Sequence, residues 1–530
     1  MANKLTNDTL AGIKAAQSTP IAKDALDPTF GDRTGDGNGI ATSQGGQTAG
    51  RPHPAGFMQD LGLVYFDLEA PAKKIYPVLT PLRNSIPRVK GNGGEATRWR
   101  AITGINTAKE QMGVGEGKRS RRIATEVREY IASYKGMGLE DSISFEATYA
   151  DDGFDDVRAR ATEGLLRSVM IGEEQVILGG NSTLALGKCD EVELVSTAAG
   201  STVNTSEPLT VQCVALTQDG YYRSSVTGSG VQFEQSRVSP DGDTATYGAG
   251  ASQISDAITI AANDINGSVT VKVPHQRGAV AYAWYWGQGT SPTVKLGAIT
   301  TTTQYKITTE VATGTQTVSA APGTDQSTNS LVYDGILTQI FDSSNGSYFK
   351  ALEAGAGLTG GGSGGAIAEF EAALQHFWDQ HKMGPDQILV SAEQLNDITK
   401  LLMGDDWSNS MFQFSSAGNA GVDGRTMNAG ATIGSYLNKY SMGAASMIPI
   451  VVHPYLAPGT VVFLSSTLPY PTTNIGQVMA IKTRREYTSI EWPLRTRTYE
   501  FGIYFDSVLQ HYAPFSMGAI TTTTQYKITD

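Results

Sequence analysis

A block of strand-patterned sequence, 187–330, sits between two segments patterned as helix, and this nesting constrains the chain more than any other feature. Ahead of it, 155–178 carries apolar residues at helical spacing. Behind it, 333–382 returns to that spacing. Inside it, 211–215, 269–273 and 280–286 are runs of apolar and β-branched residues between clusters of Gly, Pro, Asn and Asp, which is how half-buried strands read. A module inserted whole needs an exposed host loop that tolerates it. Its size suits one sandwich of immunoglobulin type, with Val214, Val271, Tyr282, Trp284 and Ile299 as core candidates. The expectation is an autonomous β-sandwich that its host can lose.

At 530 residues the chain exceeds a single core. Its net charge of −12 argues against global attraction to nucleic acid or to an anionic membrane. No apolar run approaches the ~18–20 residues of a membrane span. The first residues carry no apolar stretch of the kind a secretory signal needs. The only cysteines, Cys189 and Cys213, both fall in the module and are expected as reduced thiols. Residues 1–56 are poor in large apolar side chains and read as an extended arm. The Gly- and Asp-rich run 31–39 hints at a calcium loop, but its twelfth position from Asp32 is Ser43 rather than Glu, so a solvated turn is expected.

Residues 83–128 are basic in an acidic chain. Eleven lysines and arginines against four glutamates give the segment +7. Strand-like residues run out along 96–102 and back along 123–127, with a glycine-punctuated tip, and a lone hairpin is marginal in water. Arg98, Arg100, Lys109, Lys118, Arg119, Arg121 and Arg122 are therefore candidates for contact with the acidic surface of a neighbouring copy. Aromatics that would stack bases are scarce here.

In 155–178, Val157, Ala161, Leu165, Val169 and Val176 make an apolar stripe, Asp155 and Asp156 suit the N-terminal end of the dipole, and Gly179-Gly180 reads as a left-handed stop. Gly164 and Gly172 share a face, and each costs a helix up to ~1 kcal/mol, which predicts a backbone crossing there, from a strand within 477–510. Further on, a Gly-rich stretch at 355–365 leads to an amphipathic helix with Ile367, Phe370, Leu374, Phe377, Trp378 and His381 on one face and ended by Met383-Gly384-Pro385, then a buried strand 387–390 and a helix opened by a capping box at Ser391. Late strands follow at 447–452, 460–464, 477–482 and 498–510. One sequence of twelve residues, GAITTTTQYKIT, occurs twice, at 297–308 and 518–529; the first copy fits a terminal strand of the module.

Signs of chemistry are missing. His53, His275, His376, His381, His453 and His511 show no metal-binding spacing, and His381 reads as a core histidine. Gly113–Lys118 lacks the P-loop pattern and reads as a hairpin tip, and no nucleophile elbow or dinucleotide fingerprint is present. Adjacent carboxylates such as Asp151-Asp152, Glu173-Glu174 and Asp405-Asp406 are sequence neighbours that nothing marks for acid-base chemistry. No catalytic, cofactor-binding or metal-binding residue is assigned.

Several stretches resemble one family. YPVLTPLRNSIPR at 76–88 resembles the approach to an extended loop, ATEGLLRSVM at 161–170 with LGGN at 178–181 a spine helix and its exit, and YDGILTQI at 333–340 with YAPFSMG at 512–518 later segments. Together, over about 57–186 and 331–518, the chain resembles the major capsid protein of tailed phages, with the Hong Kong 97-type shell fold. The resemblance implies an α+β fold with an N-terminal arm (1–56), a peripheral-type domain with extended loop and spine helix (57–186), an inserted Ig-like domain (187–330), an axial-type domain (331–460) and late strands with a tail (461–530). It further implies hexamers and pentamers of the chain itself in an icosahedral head, portal and scaffold partners, enclosed dsDNA without sequence-specific binding, no membrane and no cofactor. Some members cross-link a loop lysine to a neighbour's asparagine; Lys109 and Lys118 lie in the matching segment without a matching motif, so no such role is assigned. A surface-layer adhesin, an encapsulin-type compartment and an enzyme with an Ig-like accessory domain are the other readings.

Overall fold

Asp156 starts the longest helix, Val157–Gly179, by accepting a hydrogen bond from the Ala159 N–H at 2.9 Å. Its stripe packs Leu165 and Val169 onto Ile143, Phe501, Ile503 and Phe505 of a four-stranded sheet. That sheet runs in the order Arg88–Lys90, Met479–Glu491, Thr498–His511, Lys135–Ser144. The computed structural model describes residues 76–150, 156–238, 244–310, 312–352, 356–360, 366–403, 433–440 and 446–522. The expected arm 1–56, the loop at 31–43, Asp155, most of the Gly-rich stretch 355–365 and the end of the second repeat lie outside the described residues.

The helix ends without a left-handed residue. Gly180 has φ −56° and ψ 137°, so the expected stop is corrected. What the glycines there provide is close approach. A Cβ at Gly180 would come within 2.4 Å of the Tyr333 carbonyl oxygen, and one at Gly335 within 2.6 Å of the Val176 carbonyl oxygen. The chain on either side of the module is thereby pressed together: Gly335 N–H donates to Gly180 O, and Asn329 N–H to Asn181 O. Gly164 and Gly172 behave differently. A Cβ at either meets nothing within 4 Å, so the expected crossing strand is absent among the described residues. The late strands pack instead on the Leu165–Val169 face.

Short helix Ile336–Phe341 lies at the centre of the host core. Ile336, Leu337 and Ile340 meet Ile177 and Leu178 of the long helix, Ile481 and Leu509 of the four-stranded sheet, and Leu389, Val462 and Ala519 of a second sheet. This second sheet has six strands, in the order Tyr348–Ala351, Gly518–Thr521, Val461–Leu464, Gln387–Val390, Ser446–Val452, Ser435–Asn438. Helix Ala392–Met403 joins two parallel strands of it, Gln387–Val390 and Ser446–Val452, and Ser391 Oγ caps its start by accepting from Gln394 N–H. Helix Ala368–His381 covers the sheet through Phe370 and Phe377, which meet Phe463. The architecture is α+β, as expected from the sequence.

In 187–330, a three-stranded sheet (Gln304–Ile307, Ser268–Lys272, Glu193–Ala198) faces a four-stranded one (Lys295–Thr300, Ala281–Gln288, Leu209–Leu216, Ile258–Ile260). Tyr282, Trp284 and Trp286 fill the space between them with Val211, Cys213, Val269 and Val271. The intervening residues Ala281, Ala283 and Tyr285 are buried too, against Val231, Phe233, Ala251 and Leu296 on the opposite face. Burial on both faces explains why this strand reads as one continuous apolar run. Both cysteines are buried and free. The first repeat is not one strand: it turns at Thr301–Thr303 and passes from the four-stranded to the three-stranded sheet.

The module is also more than tethered. Gln218, 6% exposed, bridges the host backbone by donating to Tyr455 O at 2.6 Å and accepting from Ala457 N–H at 3.3 Å. Val280 joins the host core, and Arg277 stacks on Phe349. These contacts join the module to the host in addition to its two connecting segments.

The glycines make a paired test. Gly335→Ala forces overpacking and lowers stability by ~1–3 kcal/mol. Gly164→Ala and Gly172→Ala place a methyl in open space and raise the stability of the unassembled subunit by ~0.5–1 kcal/mol each. Denaturant titration of the three variants reads both signs.

Candidate assembly surface and its anchoring joint

Strands Ala96–Ile105 and Thr125–Ser133 pair antiparallel, with Arg98 opposite Ile131, Arg100 opposite Glu129 and Ile102 opposite Val127. The return strand starts two residues later and runs six residues further than the sequence pattern suggests. Because side chains alternate along a strand, these six residues share one face. That face is solvated: Ile102, Val127 and Ile131 are 67%, 54% and 57% exposed. The other face holds Trp99 stacked on Tyr130 at 5.6 Å and edge-on to Tyr512 at 6.0 Å, which fixes the root of the hairpin to the four-stranded sheet.

Of the sequence-selected cations, Arg100 lies 3.6 Å from Glu129 and Arg121 3.8 Å from Glu110, both exposed pairs of the kind worth ~0–1 kcal/mol. Arg98, Lys109, Lys118, Arg119 and Arg122 form no ion pair among the described residues. Lys109 sits in a left-handed turn, φ 51°, which Asn106 braces by bonding to both backbone groups of Glu110. Gly113–Lys118 is an exposed part of the tip loop. The basic segment thus divides in two. Its tip and strands carry cations that are unpaired or held only in exposed pairs among the described residues, on a half-apolar ribbon, whereas its first members, Arg83 and Arg88, are anchored inward.

The anchor is Glu173-Glu174, 2% and 0% exposed. Glu173 Oε2 accepts from Arg83 Nε at 2.8 Å and also from Arg88 and the Tyr487 hydroxyl. Glu174 accepts from the Leu82 N–H (2.9 Å) and the Arg83 N–H (2.7 Å), the open N-terminal donors of helix Pro81–Ser85. Its Oε1 also lies 2.8 Å from His453 Nε2. His453 Nδ1 accepts from Tyr455 N–H, which leaves Nε2 to donate. Two adjacent carboxylates therefore join the hairpin root, the long helix, the four-stranded sheet and the end of strand Ser446–Val452. Burial, and then Glu173, push the Tyr487 hydroxyl up to about 12, so it stays a donor. The sequence reasoning passed over this joint, yet a signal existed: Glu173 falls on the i+4 series Leu165, Val169, Glu173, Ile177, where an acid interrupts the buried stripe.

His381 and His275 sit at packed contacts. His381 stacks on Phe515 at 4.6 Å. His275 meets Thr521 Oγ1 at 3.1 Å where the module touches the host. Among the described residues no cluster of His, Cys, Asp or Glu is arranged to hold a metal ion.

No family model matches the sequence, and no curated protein does. Several solved structures similar to this one are capsids. The "Capsid of native GTA particle" aligns with a TM-score of 0.39 at 8% identity, over 89% of this chain and 99% of that one. The capsid of Myoviridae Phage XM1 gives 0.37 at 9%, over 88% and 99%. The Cyanophage A-1(L) capsid gives 0.39 at 10%, over 88% and 98%.

Burial lowers His511 to about 3 and His275 to about 4. Both folded values lie below the unfolded ~6.5, so the folded chain binds fewer protons between them. Their contribution is complete above ~pH 6.5 and is lost as pH falls towards 4 and then 3. His511→Phe is expected to flatten the fall of stability between pH 6.5 and 4 by up to ~1.4 kcal/mol per pH unit. Parallel melts of parent and variant across that range check it; equal slopes contradict it.

Proposed function

We propose that this chain is a subunit of a phage capsid shell, assembling with copies of itself into the hexamers and pentamers of an icosahedral head that encloses dsDNA. The observation that carries the reading is the hairpin face of Ile102, Val127 and Ile131 beside Arg98 and Arg100. A two-stranded ribbon with this much exposed apolar surface is marginal alone and gains its burial from another surface. In a chain of −12 net charge, a second copy supplies the acidic partner. The stretches resembling tailed-phage capsid proteins, 76–88 and 161–170 among them, include the root of this ribbon and the helix that anchors it. Repeated use of one surface is how closed shells form, with interfaces of ~2,000–5,000 Å² in obligate assemblies. Portal and scaffold proteins are the further partners this reading entails. The module 187–330 then belongs on the outer surface, and the free cations of the tip lie over a neighbouring subunit. Nothing in the described residues favours an adhesin or an enzyme.

Reversing three ribbon cations together, Arg98→Glu, Arg100→Glu and Arg122→Glu, tests this. Expected is a monomer that melts as the parent does but forms no shells in electron micrographs. Normal particles from the triple variant would contradict the proposal.

A further inference from the structure

The two copies of GAITTTTQYKIT come to the same place in the molecule. Both run as strand over GAIT, at 297–300 and 518–521, and both leave the strand at the next threonine. Thr301 opens the turn of the first copy, and Thr522 of the second is left-handed, φ 62°. The first copy continues as strand Gln304–Ile307 against Ser268–Lys272, with Gln304 opposite Lys272 and the Val273 N–H donating to Thr303 O at 2.9 Å. The second copy arrives at that same end: Thr521 Oγ1 lies 3.1 Å from Nε2 of His275, just beyond Val273. Gln525 follows Thr521 at the spacing at which Gln304 follows Thr300. The rest of the second copy, 523–529, lies outside the described residues.

Strand Gln304–Ile307 is an edge of its sheet. In an antiparallel ladder, alternate residues turn their backbone groups to the partner strand. Since Thr303 O faces Val273, Tyr305 and Ile307 face Ser268–Lys272, and Gln304 and Lys306 turn theirs to the open side. Thr302 Oγ1 donates to Gln304 O at 2.8 Å. The Gln304 N–H and both backbone groups of Lys306 have no backbone partner among the described residues. An edge of this kind is a template for one more strand.

We propose that the second copy docks there, with residues 525–528 adding to the open edge as a parallel strand in register with Gln304–Ile307. The direction follows from the entry point, because both segments start at the His275 end. Four residues reach up to ~14 Å, and the added strand lies two strand spacings, ~10 Å, from the line of Ser268–Lys272. The register follows from identity: Gln525 falls beside Gln304, Tyr526 beside Tyr305 and Ile528 beside Ile307, and identical segments stacked in parallel pack like on like. Lys527 falls beside Lys306 on the outward side, where salt screens the repulsion. Addition is favoured over replacement. Ile307 is fully buried and the Tyr305 ring meets Trp284 and Trp286, so displacing the first copy strips a packed core that addition leaves in place. The inner host strand Gly518–Thr521 thereby runs on into the module and ties it to the six-stranded sheet. The docking is within one chain and is independent of shell formation.

Disulfide trapping in the purified, unassembled full chain tests this. Gln304→Cys with Gln525→Cys, oxidised by exchange with glutathione disulfide, is expected to close a 304–525 link in most chains, read by peptide mapping. The native Cys189 and Cys213 are buried and stay out of the exchange. Lys272→Cys with Gln525→Cys is the companion variant. Two strands apart, these positions exceed the ~7 Å between Cα atoms that a disulfide spans, so no link is expected. A 272–525 link means that the second copy replaces the first, and it overturns the proposal. So does a covalent dimer, which places the segment on another copy, or the absence of any 304–525 link.

Discussion

Two adjacent carboxylates on the last turns of the long helix hold the host together. Successive residues on a helix point about 100° apart, so Glu173 and Glu174 reach different neighbours from one place in the chain. Glu173 gathers cations and a phenol from the hairpin root and the four-stranded sheet; Glu174 caps helix Pro81–Ser85 and receives His453 from the six-stranded sheet. Burying a carboxylate is costly unless it is both paired and hydrogen-bonded. Here both are, and removing one partner of such a cluster costs ~3–5 kcal/mol, far more than the exposed pairs of the hairpin contribute. The ribbon therefore projects from a base held at Arg83 and Arg88 by Glu173 and at Trp99 by Tyr512.

The module is part of that base. Its first and last residues run side by side, with Leu186 N–H on Ser327 Oγ and Gly187 N–H on Asp325, and Asp334 holds Ser182 and Thr183 just outside. An insertion closed in this way leaves the host's chain path intact. Gln218, Val280 and Arg277 then add side-on contacts that two connecting strands alone do not give. The domain can be read as an insertion in sequence while its Gln218 packs so tightly on the end of the long helix that a Cβ at Gly179 would come within 2.6 Å of it.

Much of the fold was legible because its signals are local. Strand Gln387–Val390, the cap at Ser391 and the helix to His381 depend on nearby residues, and the structure follows them closely. Strand Ala281–Gln288 was legible as β for the same reason, though not its burial on both faces. The joint was less legible, since Glu173 and Glu174 find partners ninety residues before and about three hundred after them. Gly164 and Gly172 misled because a glycine in a helix signals space without saying whether anything fills it, whereas Gly180, whose space is filled by backbone, resembled an ordinary stop. The repeat misled for a third reason. Its first four residues, GAIT, are strand in both copies, at an edge of the module at 297–300 and inside the host sheet at 518–521, so the sequence sets the strand while its neighbours set its place in a sheet.

That the host is one mechanical unit joined through Glu173 and Glu174 is the central claim, and native-state hydrogen exchange of Glu174→Gln tests it most directly. The substitution keeps the side chain's shape but replaces an acceptor oxygen with a donor. If the joint couples the elements, protection falls together by ~10-fold or more in Pro81–Ser85, in the second half of Val157–Gly179 and in Ser446–Val452. Loss confined to Pro81–Ser85, with the helix and the strand protected as in the parent, would contradict the account.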